Sequence, residues 1–181
     1  MFKRGILLFF LFSGILSCFC DDIRPFWEIE NFDLFLVDVD GNKITADTIN
    51  ANAIDIVVDI EFEYVSNNSL KSLFVNTAMA ADCGEEGQDG LKNPITKITL
   101  TCDQDYNDFD AGESLNDIVR YGPQIGFQQF IDSVKDLPAV DFFIFAIIEK
   151  PTNIDSLQFN LQIEFESGNQ INKNTRTFYW Q

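Results

Sequence analysis

Histidine is absent from this 181-residue chain. Without imidazole there is no Ser-His-Asp or Cys-His relay, and no zinc or copper site that depends on it. Positive charge is also scarce. Twelve Lys and Arg stand against 29 Asp and Glu, a net charge of −17, which repels phosphate backbones and sets nucleic acid aside as a partner. The four cysteines form no CxxC pair, so a four-cysteine metal site is disfavoured. There is no internal repeat and no low-complexity tract. The length suits one domain with one core.

One apolar run is present, at the start. Lys3 and Arg4 precede Gly5 to Ser17, thirteen uncharged residues rich in Ile, Leu and Phe. A helix needs roughly 20 residues to cross about 30 Å of hydrocarbon, so this run is too short to span and matches a signal-peptide core. Residues 1–17 are therefore expected to be a signal peptide. Their removal takes away two bases and no acid, leaving a net charge of −19. Ile15-Leu16-Ser17-Cys18 is similar to a bacterial lipobox, in which a small residue precedes a cysteine that is lipidated and becomes residue one. Cleavage by general signal peptidase is the alternative, although Phe19, Leu16 and Ile15 spoil most of its registers. Acyl chains on Cys18 would supply the membrane affinity that an acidic domain lacks. The expectation is an exported protein, lipid-anchored at the outer membrane, with residues 18–25 as tether and 26–181 as the domain. Asp21 and Asp22 look like the acidic tract that directs some lipoproteins to the cell surface.

With Cys18 spent on lipid, Cys20, Cys83 and Cys102 remain in an oxidising compartment, giving one disulfide and one odd thiol. Cys83–Cys102 would close a strand-to-strand connection and stabilise by about 3 kcal/mol. Cys20–Cys83 would instead tie the tether to the domain. Both pairings stay open.

Period-two alternation dominates the rest. Ile54, Ile56, Val58, Ile60, Phe62 and Tyr64 share one face, with Asp55, Asp59, Glu61 and Glu63 on the other. Leu157, Phe159, Leu161, Ile163 and Phe165 repeat the pattern, and Ile98, Leu100 and Cys102 make a shorter copy. Each predicts a strand buried on one face and wet on the other. Phe142 to Ile148 and Phe32 to Val39 are apolar on both faces, which predicts central strands. Asp40-Gly41-Asn42 and Gly168-Asn169 supply turns. Phe127, Phe130, Ile131, Val134 and Leu137 fall at helical spacing after Pro123. Ser114, with Asp117 three residues on, resembles the capping box of a second short helix. The fold expected is mainly β: an antiparallel two-sheet immunoglobulin-like β-sandwich of about seven strands, with a helical insertion at about 113–137.

Chemistry has one focus. Residues 103–113 carry five carboxylates in the loop leaving a strand. Asp103, Asp105 and Asn107 match positions 1, 3 and 5 of an EF-hand loop. Position 6 is Asp108 rather than Gly and position 12 is Ser114 rather than Glu, so the match fails at the sharp turn and at the bidentate ligand. Asp103, Asp105, Asn107, Asp108 and Asp110 remain a weak candidate calcium set. The alternative is a solvated loop whose polar side chains cap its own turns. Paired carboxylates also serve glycoside hydrolysis, but 29 acids place some pair at that separation in any fold, so no catalytic residue is assigned. Trp27, Trp180, Tyr106, Phe109 and Tyr121 form a conceivable sugar-stacking platform, or core plugs. Asp47-Thr48-Ile49, Asp132-Ser133-Val134 and Asp155-Ser156-Leu157 fit an O-glycosylation triplet of some Gram-negative bacteria.

Together these features resemble an uncharacterised family of about 180-residue lipoproteins from Bacteroidota. The likeness runs through Cys18 and Cys20, Ala81-Asp82-Cys83, the Ile95…Ile98-x-Leu100 strand and Asp103-x-Asp105-Tyr106-Asn107. It continues through Ala111 to Asp117, Lys150-Pro151, and the terminal strands around Phe159 and Thr175. The resemblance implies a cell-envelope lipoprotein with a β-sandwich domain; the family supplies no activity or site. The expected function is non-enzymatic binding or structural work at the outer membrane, with an extracellular glycan or envelope protein as partner and no cofactor. The alternative is a calcium-dependent or glycan-binding module using residues 103–113.

Overall fold

A computed structural model describes residues 24–66, 85–122, 125–147, 149–152 and 156–181. Cys18, Cys20, Cys83, Pro123 and Asp155 lie outside the described residues, and with them the lipidation site and one half of either disulfide pairing.

The domain is mainly β, with ten strands and one helix among the described residues. The first sheet is built from β1 (Phe26–Val37), β3 (Ile54–Val65), β6 (Phe142–Ile147) and β5 (Val119–Tyr121), in the order β1-β3-β6-β5 with every pair antiparallel. The second joins β4 (Ile95–Cys102), β8 (Phe159–Phe165) and β9 (Gln170–Asn174), again antiparallel. A third, small sheet has β10 (Phe178–Trp180) between β2 (Thr48–Ile49), parallel to it, and β7 (Ser156–Leu157), antiparallel.

Alternation determines the faces. On β3, Ile54, Ile56, Val58 and Ile60 are buried, and on β8 so are Phe159, Leu161, Ile163 and Phe165. These rows belong to one hydrophobic cluster shared by both larger sheets. Each such side chain contributes about 1.5–3 kcal/mol by leaving water. Strand β1 keeps its inner row only by an irregularity. Trp27 and Ile29 face Tyr64 and Phe62, the register shifts at Glu30, and Phe32 then faces Ile60. One extra residue restores the apolar set to the core side, as a β-bulge does.

The helix α1 (Phe127–Val134) buries Phe127, Phe130, Ile131 and Val134. Phe130 meets Phe143 and Phe145 edge-on at 4.8 and 5.3 Å between ring centroids, and Phe127 meets Phe145 at 4.7 Å, a favoured aromatic geometry. It packs against β4 and β5, which are edge strands of the two larger sheets. At the opposite edges β1 and β9 approach each other, and Lys173 lies 3.7 Å from Asp33. Past the helix, the amide of Leu91 donates to the carbonyl of Lys135 at 3.0 Å. Gly90 (φ +92°) is required beside it, because a Cβ there would collide with that same carbonyl.

Three expectations are corrected. The insertion holds one helix, since residues 115–118 form a turn and Ser114 bridges Thr101 instead of capping a helix. The cause is Asn116, whose side chain accepts from the amide of Leu100 and donates to the carbonyl of Ile98. It completes the edge of β4 and draws the segment into the sheet. The run from Leu157 to Phe165 is two strands in two sheets. The break is at Gln158, whose amide donates to the Asp103 carboxylate at 2.7 Å. The chain after the Gly168-Asn169 turn likewise forms two strands, β9 and β10, parted at buried Thr175, whose hydroxyl accepts from the amide of Phe159 at 3.0 Å. Third, β6 is interior within its sheet as expected, but β1, which carries most of the Phe32 to Val39 run, is an edge strand; on β6, Phe142 is 53% exposed and Ile144 37%.

Candidate functional site

Two acidic regions compete. The first is the 103–113 loop. Three of its five carboxylates accept hydrogen bonds from backbone amides. Asp103 accepts from Gln158 as above, and Asp105 accepts from the amide of Ala111 at 3.0 Å. Glu113 accepts from the amide of Asp110 at 3.0 Å. Asn107, in the left-handed region at φ +54°, accepts from the amide of Thr152 at 2.8 Å. Tyr106 and Phe109 exchange backbone hydrogen bonds across the two-residue turn between them. Tyr106 is fully buried, packs on Phe159 at 5.9 Å, and donates its hydroxyl to the Glu149 carbonyl. Burial pushes that phenol well above its ordinary value, so it stays a neutral donor. The loop is a stitched cap on the core. Among the described residues no three His, Cys, Asp or Glu side chains group as a metal would require. Within the candidate calcium set, Asp103 accepts from the amide at the β7–β8 break, Asn107 from the 150–152 segment, and Asp105 from the Ala111 amide.

The aromatic platform is corrected. Trp27, Trp180 and Tyr106 are fully buried, while Phe109 and Tyr121 pack partly buried against the core. The indole N–H groups of Trp27 and Trp180 donate to the carbonyls of Leu137 and Ala51, at 3.0 and 2.6 Å. That is how buried indoles are satisfied. Among the described residues Cys102 is a free, buried thiol, and burial raises its pKa. Of the glycosylation triplets, Thr48 is exposed on β2 and Ser133 is exposed on α1.

The second acidic region is the outer face of the first sheet. Register places Asp33 opposite Asp59 and Glu28 opposite Glu63 on β1 and β3. Like charges directly opposite are destabilising. Relief comes from Lys173, 3.7 Å from Asp33, and from Asn31, which donates to Glu61 at 2.9 Å; register also sets Arg120 of β5 on this face, opposite Ala146. Beside these acids runs an apolar row, Phe35–Val57–Ile144, one residue from each of β1, β3 and β6, with Phe142 next along, opposite Asp59. Lys43 lies 4.2 Å over the Phe35 ring. At the β5 side, Asp55, Tyr121, Gly122, Phe142, Ile144 and Ala146 line an open depression of about 430 Å³. Burial raises the Asp55 carboxyl above its ordinary 3.8, the signature of a carboxylate set among apolar neighbours. Sequence reading missed this face. Its signal was Val57, the one apolar residue among the acids of β3, and a 142–147 run too apolar for a strand wet on one side.

No helix among the described residues is long and apolar enough to cross a membrane. In comparisons with protein-family models, with curated proteins and with solved structures, nothing matches the chain.

Proposed function

We propose that this chain is a lipid-anchored envelope protein: a non-enzymatic binding domain tethered to the outer membrane through Cys18. The observation that carries the binding reading is the outer face of the first sheet. There Phe142 and Ile144 stand exposed on an interior strand, on a rigid sheet where a partner would cover them. Contiguous exposed apolar side chains rimmed by polar ones mark interaction sites on soluble domains. An open sheet face suits binding better than turnover, which uses concave pockets with convergent polar groups. The anchor rests on the signal-peptide pattern, on Ser17-Cys18, and on the resemblance to the Bacteroidota lipoproteins. The finer fold reading, an immunoglobulin-like β-sandwich, is supported by the single core that both larger antiparallel sheets share and by the helix packed against their edge strands.

The test is the intact mass of the membrane-extracted native protein, paired with protease shaving of whole cells. A mass beginning at Cys18 plus acyl chains, with the domain removed from intact cells, is expected. An unmodified mass in the soluble fraction overturns the anchor, and Cys18 then rejoins the cysteines free for disulfides.

A further inference from the structure

We infer that the outer face of the β1-β3-β6-β5 sheet is a docking surface for a cationic amphipathic polypeptide segment, with an apolar centre on exposed Phe142 and Ile144 and half-buried Phe35, seated over buried Val57, and Lys or Arg at its rim. The inference rests on the binding reading above and names the partner's chemistry.

Charge decides the occupant. Asp33, Asp55, Asp59, Glu61, Glu63 and Glu28 all project from this one face, and two cross-strand pairs among them are like-charged. A sheet carries such pairs at a cost to its own stability, and a cationic partner converts that cost into attraction. A second copy does the reverse, because it sets one acid-covered face against another in a chain of net charge −17. Neutral apolar partners would cover the row but leave the flanking carboxylates desolvated without counter-charges. The dimensions also agree. The row crosses three strands, about 10 Å at the usual inter-strand spacing, which is about the width of one α-helix with its side chains. Lys and Arg at the borders of an apolar helical stripe lay their stems along apolar surface and reach outward with their charge. On this face that reach meets Asp33 and Asp59 on one side of the row and Asp55 on the other.

The probe is a 14-residue amidated peptide of Leu and Lys at helical spacing, titrated calorimetrically into the full domain at 50 mM salt. Micromolar binding is expected, with none for the same peptide carrying Glu in place of Lys. Phe142→Thr with Ile144→Thr should weaken it at least tenfold, and Asp55→Asn with Asp59→Asn likewise. Asp132→Asn with Glu166→Gln, an equal change of net charge at exposed positions on α1 and in the β8–β9 turn, should weaken it less than threefold. If the threonine pair folds poorly, the two neutralising pairs decide the matter alone. Equal weakening by both neutralising pairs overturns the proposal, since binding would then track bulk charge. Retained affinity in the threonine pair also overturns it. So does a dimer by sedimentation that the threonine pair dissolves, which would make a second copy the occupant. An unmodified Cys18 would remove the anchor and leave all these outcomes unchanged.

Discussion

The 103–113 loop and the outer face of the first sheet are comparably acidic, yet they spend their carboxylates in opposite ways. In the loop Asp103, Asp105 and Glu113 accept hydrogen bonds from the chain's own amides, so much of the charge is structural. Asp38 shows the same use at the β1 turn: its carboxylate takes hydrogen bonds from the amides of Asn42 and Asp40. Those bonds, from Asn42 first, hold its pKa below the ordinary value. On the sheet face the carboxylates meet each other across the strands or stand beside apolar side chains, and Asp55 shifts the other way. Acid density therefore says little about function. Whether the backbone already uses the acceptors says much more.

Substitutions should split along this line. The largest effect is expected from Tyr106→Ala, which empties a fully buried aromatic site beneath the loop. A loss of about 3–5 kcal/mol, typical of buried aromatic truncations, should appear in denaturant unfolding; a loss below about 1 kcal/mol would show the loop to be a loose appendage. Asp105→Ala removes one acceptor from the Ala111 amide and should cost about 1 kcal/mol. Asp59→Asn should act in the opposite sense, stabilising by a few tenths of a kcal/mol, because it relieves the Asp33 pair. If both neutralisations destabilise, the distinction between the regions fails.

Asp55 sharpens the comparison through pH. Its folded pKa is raised, so the folded state holds this proton more firmly than the unfolded chain does. Stability from this residue therefore falls as pH rises from about 3.8 through the folded pKa. Asp55→Asn should match the wild type near pH 3 and exceed it at pH 7 in melting temperature. A gap of the opposite sign, or one constant with pH, would mean that burial does not govern this carboxyl. The smallest effect concerns calcium. With the loop acceptors turned to separate backbone amides, millimolar calcium should move the melting temperature by less than about 1 °C. A larger rise abolished by Asp105→Ala would restore the calcium reading.

Much of this was visible in the chain before folding was considered. The β3 and β8 alternations, the 127–134 helical stripe and the two turns were all legible, because strand and helix periodicity are local. The reading failed where a distant residue decided the outcome. Asn116 resembled the interior of a capped helix until β4 drew its side chain to the sheet edge. Gln158 lay inside an unbroken alternation, and Asp103, 55 residues away, holds the break there together with Thr175. The loop's polar side chains bond to its own turns, one of the two readings its residues left open, whereas the sheet face was not read at all. A run apolar on both faces implies a central strand, and pattern alone cannot say that β6 has a core on one side only.

The amino-acid sequence by itself determined a β-rich domain with one core, a strong negative charge, and chemistry without imidazole, since composition and period-two patterning act residue by residue. Tertiary structure decided which acids bond to backbone amides and which face outward from the sheet. That choice depends on cross-strand register and on the position of distant amides, and both exist only once β1, β3 and β6 have paired and the 103–113 loop has closed over Tyr106.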